Sequence, residues 1–103
     1  MLPIMRLLGL AQRAGNVVSG DESVRAKLQR RQVKLVIIAE DAAATTRQDF
    51  ASLARKYGVP YVCCGTKEKL GAAIGKSPRA VLALLDENLA HRVVGYLNEN
   101  TDQ

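Results

Sequence analysis

The side chains able to do chemistry fall into a few small groups in this chain of 103 residues. Adjacent acids directly after an apolar run occur at Glu40-Asp41 and Asp86-Glu87. Carboxylates beyond the C-terminal ends of strands are where open α/β sheets keep catalytic groups, but helix caps and solvated turns place acids there too. The second meaning is the favoured one. Cys63 and Cys64 are neighbours, which rarely permits an unstrained disulfide, and neither lies at metal-ligand spacing from the single histidine, His91. They read as two small residues on opposite faces of a buried strand. His91 and Glu87, four residues apart, read as a surface pair on a helix. No Ser-His-Asp set, Cys-His pair or G-x-G-x-x-G motif is legible, so no catalytic residue, metal site or cofactor is expected, and the chain is expected not to be an enzyme.

A different signal lies in Gly15-Asn16-Val17-Val18-Ser19-Gly20-Asp21-Glu22-Ser23-Val24-Arg25. A short apolar pair runs into Ser19-Gly20, and a charged segment with helical spacing follows, so the stretch predicts strand, tight turn and helix N-terminus. Such a junction offers unpaired backbone N–H groups and the positive end of the peptide dipoles, with a glycine that lets a ligand approach. A nucleotide phosphate loop is disfavoured, because Asp21 stands where G-x-x-x-x-G-K-[ST] requires lysine. Local pattern has a simpler reading: Ser19 and Glu22 match a capping box, and Arg25, Lys27, Arg30 and Arg31 a solvated face.

The elements that must position this junction follow from hydrophobic spacing. A helix is predicted over residues 2–13, with Pro3 in its first turn, an apolar stripe of Leu7, Leu8, Leu10 and Ala11, and Gly15 as its stop. Strand Asn16–Ser19 precedes a helix from Asp21 to about Arg31 that buries Val24 and Leu28. The continuous run Leu35-Val36-Ile37-Ile38-Ala39 after Lys34 has the pattern of a central strand covered on both faces. Thr46 is expected to cap a helix whose apolar positions are Phe50, Leu53, Ala54 and Tyr57, stopped by Gly58. Strand Tyr61–Cys64 comes next. Thr66 then caps a short helix with Leu70, Ala73 and Ile74 inward, and Gly75 ends it. A last strand, Ala80–Leu85, leads into a helix beginning at Asp86 or Glu87 that carries Leu89, Ala90, Val93, Val94 and Leu97. Residues 98–103 are expected to fray. This order predicts an α/β chain, a three-layer α/β/α sandwich with a mixed sheet of about four strands, in a single domain spanning residues 1–103.

Charge is unevenly distributed. Residues 1–79 hold 14 Lys or Arg against 6 Asp or Glu, a net +8, whereas residues 80–103 hold 1 against 4, a net −3. That asymmetry suits a chain with one face toward a polyanion. No apolar run approaches the roughly 20 residues of a membrane span, and the N-terminus lacks the form of a signal peptide, so no membrane partner and a cytoplasmic location are expected.

Taken together, Gly20-Asp21-Glu22-Ser23-Val24-Arg25, Val33 to Ala42, Val59-Pro60-Tyr61-Val62 and Thr66 to Gly75 resemble the kink-turn RNA-binding ribosomal protein family of the L-seven-Ae type, and among its members the small bacterial YlxQ-like ones. The resemblance covers about Met5 to Leu97, with the motifs in the family's order. It implies an RNA-binding protein that reads a kink-turn, a bent duplex with tandem G·A pairs and a flipped nucleotide, and it suggests ribosome association and a monomer. The family's Gly-Asn-Glu-x-x-Lys pattern corresponds to Gly20, Asp21, Glu22 and Arg25. Glu22 would accept from guanine amino groups, Arg25 would donate to guanine O6 or N7, and Gly20 would admit the RNA backbone. Arg47 and Lys67 lie in regions where the family meets backbone or flipped base. Residues 75–79, with Lys76 and Arg79, correspond to the loop over the flipped nucleotide. Three departures stand out: Asp21 replaces the usual Asn, Arg25 replaces Lys, and Lys76 replaces an apolar residue. The competing reading is a ribosome-architecture or protein-interaction module that binds rRNA irrespective of shape.

Overall fold

Two short segments are apolar enough to be buried on both faces, Leu35–Ile38 (β2) and Val81–Leu84 (β4), and all eight of their residues are buried. They pair antiparallel at the centre of the sheet, with Val36 opposite Ala83. The less apolar Val17–Ser19 (β1) joins β4 antiparallel at one edge, and Tyr61–Cys63 (β3) joins β2 in parallel at the other. The order β1-β4-β2-β3 is therefore mixed, as expected. The structure, a computed structural model, describes residues 2–101.

Five helices cover this sheet: α1 (Leu2–Arg13), α2 (Asp21–Gln29), α3 (Ala44–Lys56), α4 (Lys67–Ala73) and α5 (Glu87–Thr101). α2 and α3 pack together on one face, while α1 packs with α4 and α5 on the other, giving the three layers. The core between them holds Phe50, Ile4, Leu8, Leu28, Leu35, Ile37 and Leu82, each almost wholly removed from water, and among the described residues no buried polar or charged one interrupts it. Burying each such side chain stabilises the fold by about 1.5–3 kcal/mol, so this continuous cluster, rather than surface charge, holds the layers together.

Several boundaries differ from the expected ones. Leu10, placed in the buried stripe of α1, is half exposed, and Ile4 takes a core position instead. α3 begins at Ala44 with no side-chain cap, so Thr46 lies inside its first turn. β3 is an edge strand ending at Cys63, which is exposed, while Cys64 beyond it is buried; the two sulfurs do not share a buried strand. α5 remains helical through Thr101, where fraying was expected from residue 98, and residues 102 and 103 lie outside the described residues. α2 ends at Gln29, earlier than Arg31. There Arg31 N donates to Leu28 O at 3.0 Å and Gln32 N to Lys27 O at 3.1 Å, which closes the helix with a left-handed residue.

Candidate nucleic-acid interface

At the β1–α2 junction a strand becomes a helix within one residue. Ser19 still pairs with Leu82, and Gly20 N donates to Val81 O at 3.0 Å, so the ladder holds the chain up to the residue that caps α2. Gly20 then takes φ 89° and ψ 158°, a region open in practice to glycine alone. A Cβ built on it would meet nothing within 4 Å. The backbone here is therefore both fixed and bare.

The expected capping box is not formed. The N-cap is Gly20 and no side chain caps the helix, because ladder pairing keeps Ser19 one position too early. Ser19 Oγ instead accepts from Arg79 Nε at 3.1 Å. Asp21 and Glu22 are both exposed, and neither carboxylate has a hydrogen-bond or ion-pair partner among the described residues. Their charges favour the helix N-terminus electrostatically while their oxygens stay free.

Arg79 ties two loops together. Besides Ser19, its guanidinium donates through Nη1 to Ser77 Oγ at 2.6 Å and to the carbonyls of Ser77 and Pro78 at 3.2 and 3.3 Å. The segment it braces lies so close over α4 that a Cβ on Gly71 would be driven into the Ser77 carbonyl and to 2.9 Å from Pro78 Cα. Ser19 through Ser23 and Arg79 line one shallow hollow of about 370 Å³. The structure thus assembles Gly20, Asp21, Glu22 and Arg79.

The other sequence-predicted residues stand around this hollow or away from it. Arg25, four residues after Asp21 and on the same helix face, is partly exposed. Its Nη2 is 3.8 Å from Asp49 Oδ2 on α3, and its Cζ stands 4.9 Å from the Phe50 ring centroid. Lys67 opens α4 with an exposed side chain; its N–H donates to Asp41 Oδ1 at 2.8 Å and its carbonyl accepts from Arg79 N at 3.0 Å. Thr66 caps the same helix, accepting from Lys69 N at 3.2 Å. Lys76 is exposed on the loop, held through its N–H to Gly71 O at 2.8 Å. Arg47 is not brought to the hollow: it lines a separate cleft of about 390 Å³ between α3 and β3, with Ile38, Gln48, Tyr61 and Cys63.

Asp49 and Ser77 were missed from the sequence, since each acts only through a partner on another segment. Asp41 was legible as a cap, but not as the cap of a helix that starts 26 residues later. Asp86 likewise caps locally, its Oδ2 accepting from Leu89 N at 3.3 Å. The thiol of buried Cys64 is pushed from its ordinary 9.0 up to about 11, chiefly by burial and further by the nearby charges of Glu40 and Cys63.

The sequence model of the ribosomal protein L7Ae/L30e/S12e/Gadd45 family matches residues 3–94. The chain belongs to this family. It is 37% identical over 92 residues to the RNA-binding protein YlxQ of Bacillus subtilis (strain 168), covering 89% of this chain and 92% of that protein. Among solved structures, a Bacillus halodurans C protein of unknown function superposes with a TM-score of 0.88 at 33% identity, over 92% of this chain and 96% of that one. The Giardia lamblia 15.5kD RNA binding protein does so with a TM-score of 0.78 at 25% identity, over 95% and 87% of the two chains. The matched region of the family includes all eight candidate residues from Gly20 to Arg79. Among the described residues no helix is long and apolar enough to cross a membrane, and no three His, Cys, Asp or Glu side chains come together to hold a metal ion.

Proposed function

We propose that the rim formed by Gly20, Asp21, Glu22 and Arg25 recognises kink-turn RNA, with Arg79, Lys67, Lys76 and Arg47 serving backbone or flipped nucleotide. In this reading the protein is a cytoplasmic monomer that stabilises a bent RNA, in ribosomal RNA or elsewhere, and catalyses nothing. Family membership supports it, as do the names of the B. subtilis and G. lamblia relatives, both described as RNA-binding.

One observation carries the finer statement. Two unpartnered carboxylates follow a bare glycine backbone at a helix start, beside a clamped guanidinium. Phosphate is repelled by such acids, whereas the donor edge of guanine is attracted, so the rim suits G·A pairs whose edges a bend has opened. Binding free energy gained at that rim shifts the RNA population toward its kinked form.

A titration of a kink-turn RNA against the same duplex with its G·A pairs made Watson–Crick tests this. The kinked RNA is expected to bind more tightly, and Glu22→Ala to cost about 1–3 kcal/mol on it while leaving plain duplex nearly unaffected. Equal affinities for the two RNAs would instead favour shape-independent docking on rRNA.

A further inference from the structure

At the far end of the α2–α3 pair from Gly20 lies a second concentration of positive charge. Arg25 meets Asp49 and Phe50, and Arg31 meets Tyr57, so the two helices run side by side in the same direction. Their C-terminal ends therefore emerge together and leave Arg30, Arg31 and Lys56 exposed there, while Arg55, also exposed, turns to Tyr61 on β3 and lines the cleft that holds Arg47. None of these four has a carboxylate partner among the described residues; the one ion pair on these helices is that of Arg25.

Aromatic rings hold this surface in shape. Arg31 Cζ lies 5.4 Å and Lys56 Nζ 5.5 Å from the Tyr57 ring centroid, and Arg55 Cζ lies 5.5 Å from that of Tyr61 while its Nη2 donates to the Tyr61 hydroxyl at 2.8 Å. Arg55 spends one N–H on that hydroxyl, whereas the Arg31 guanidinium against Tyr57 keeps its in-plane N–H groups free, and that edge matches the paired oxygens of a phosphate. Arg31 also has φ 58°, the only non-glycine residue with positive φ among the described residues, whereas α1, α3 and α4 end on Gly15, Gly58 and Gly75 in the same conformation. An arginine thus sits where its own chain elsewhere uses glycine, at a cost in backbone strain.

We propose that Arg30, Arg31 and Lys56 form a second phosphate-binding surface that grips one duplex arm of the RNA whose bend lies at Gly20. This rests on the reading that the Gly20 rim binds a kink-turn. From Gly20 to Arg31 the α2 axis covers about 16 Å, so a duplex leaving the rim along α2 and α3 passes over the second surface. Stacked cations with no acids among them fit a phosphodiester backbone, and they read no base.

The test uses the full chain with four RNAs: a kink-turn with minimal arms, two kink-turns with one or the other arm lengthened by one duplex turn, and a plain duplex as long as the extended arm. Lengthening one arm, and not the other, is expected to tighten binding about tenfold at low salt and to steepen the dependence of log Kd on log salt by about two, the signature of two or three added phosphate contacts. The triple variant Arg30→Gln, Arg31→Gly, Lys56→Gln is expected to lose that advantage and to bind the minimal kink-turn as wild type does. Arg31→Gly alone relieves the left-handed strain and should raise Tm, so weaker binding by it is not loss of fold. Equal affinity for minimal and lengthened RNAs, or an equal loss by the triple variant on both, would overturn the second surface. Failure to prefer the kinked over the plain duplex strikes the Gly20 reading alone. In that case the triple variant must still bind the plain duplex more weakly than wild type, and if it does not, the second surface falls as well.

Discussion

Cys63 and Cys64 carry the same functional group in opposite surroundings, one on the outer edge of the sheet and the other sealed beneath it. At neutral pH an alkylating reagent should therefore label Cys63 in the native protein and reach Cys64 only on unfolding. The raised Cys64 pKa also makes stability depend on pH. Between 9.0 and about 11 the unfolded chain loses the thiol proton while the folded chain keeps it. Stability is thus fully present below pH 9 and falls as pH rises toward 11, by up to ~2–3 kcal/mol, the equivalent of two pKa units. Urea unfolding of wild type and Cys64→Ala at pH 8 and pH 10.5 checks the sign, because only the wild type should show this part of the alkaline loss. Glu22 contrasts with this buried group. Its exposed carboxylate has no partner to lose among the described residues, so its replacement should alter RNA binding while lowering the melting temperature only by the lost helix N-terminus interaction, about 0.3–1 kcal/mol.

At the scale of elements, two glycines of the interface are required for different physical reasons. Gly20 has open space around it and a backbone angle only glycine tolerates, so Gly20→Ala should destabilise by about 1–3 kcal/mol through strain alone. Gly71 lies inside α4, where alanine would ordinarily gain about 1 kcal/mol in helix propensity. Here a methyl group meets the Ser77–Pro78 backbone, which cannot rotate aside as a side chain would, and the sign reverses. Gly71→Ala should lift residues 77–79 off α4 and release Arg79 from Ser77 and Ser19. Amide hydrogen exchange distinguishes the two variants. The Arg79 and Lys76 amides, bonded to Lys67 O and Gly71 O, should exchange faster in Gly71→Ala and at the wild-type rate in Gly20→Ala.

For the molecule as a whole, charge follows position along the chain rather than layer, since α1 and α4 share a layer with the acidic α5 and are themselves net positive. α3 and the loop before β4 each carry a net +2 and residues 30–34 a net +3, while α5 packs against α1, where Arg6 and Arg92 flank the exposed apolar Leu2 and Leu10. RNA affinity should depend on whether the changed charge lies beside the Gly20 rim, as Lys67 does through the Arg79 N–H on its carbonyl, or beside α1, as Arg92 does. Lys67→Glu is expected to weaken kink-turn binding by more than about tenfold at moderate salt, and Arg92→Glu by less than about twofold, although both alter net charge equally. A salt series on the two variants checks this, since losing a direct phosphate contact also flattens the salt dependence and losing a remote charge does not.

The layered fold was legible in the sequence because it depends on repeating spacing: the runs at Leu35–Ile38 and Val81–Leu84 could not be solvated, and the helices between them had apolar positions three and four apart. The glycine turn at Gly20 was legible for the same reason, as an abrupt change of period from strand to helix. Cap assignments at Ser19 and Thr46 were not, because capping depends on which residue the neighbouring strand or loop leaves free, and strand pairing with Leu82 settled that for Ser19. Chain order alone determined which elements form and the residue types at the junction. Tertiary packing alone decided that Arg79 reaches across 60 residues to Ser19, that Asp49 holds Arg25, and that Arg31 meets Lys56 over one tyrosine ring. Local preference acts over a few residues, whereas those contacts join segments that become neighbours only when the core has closed.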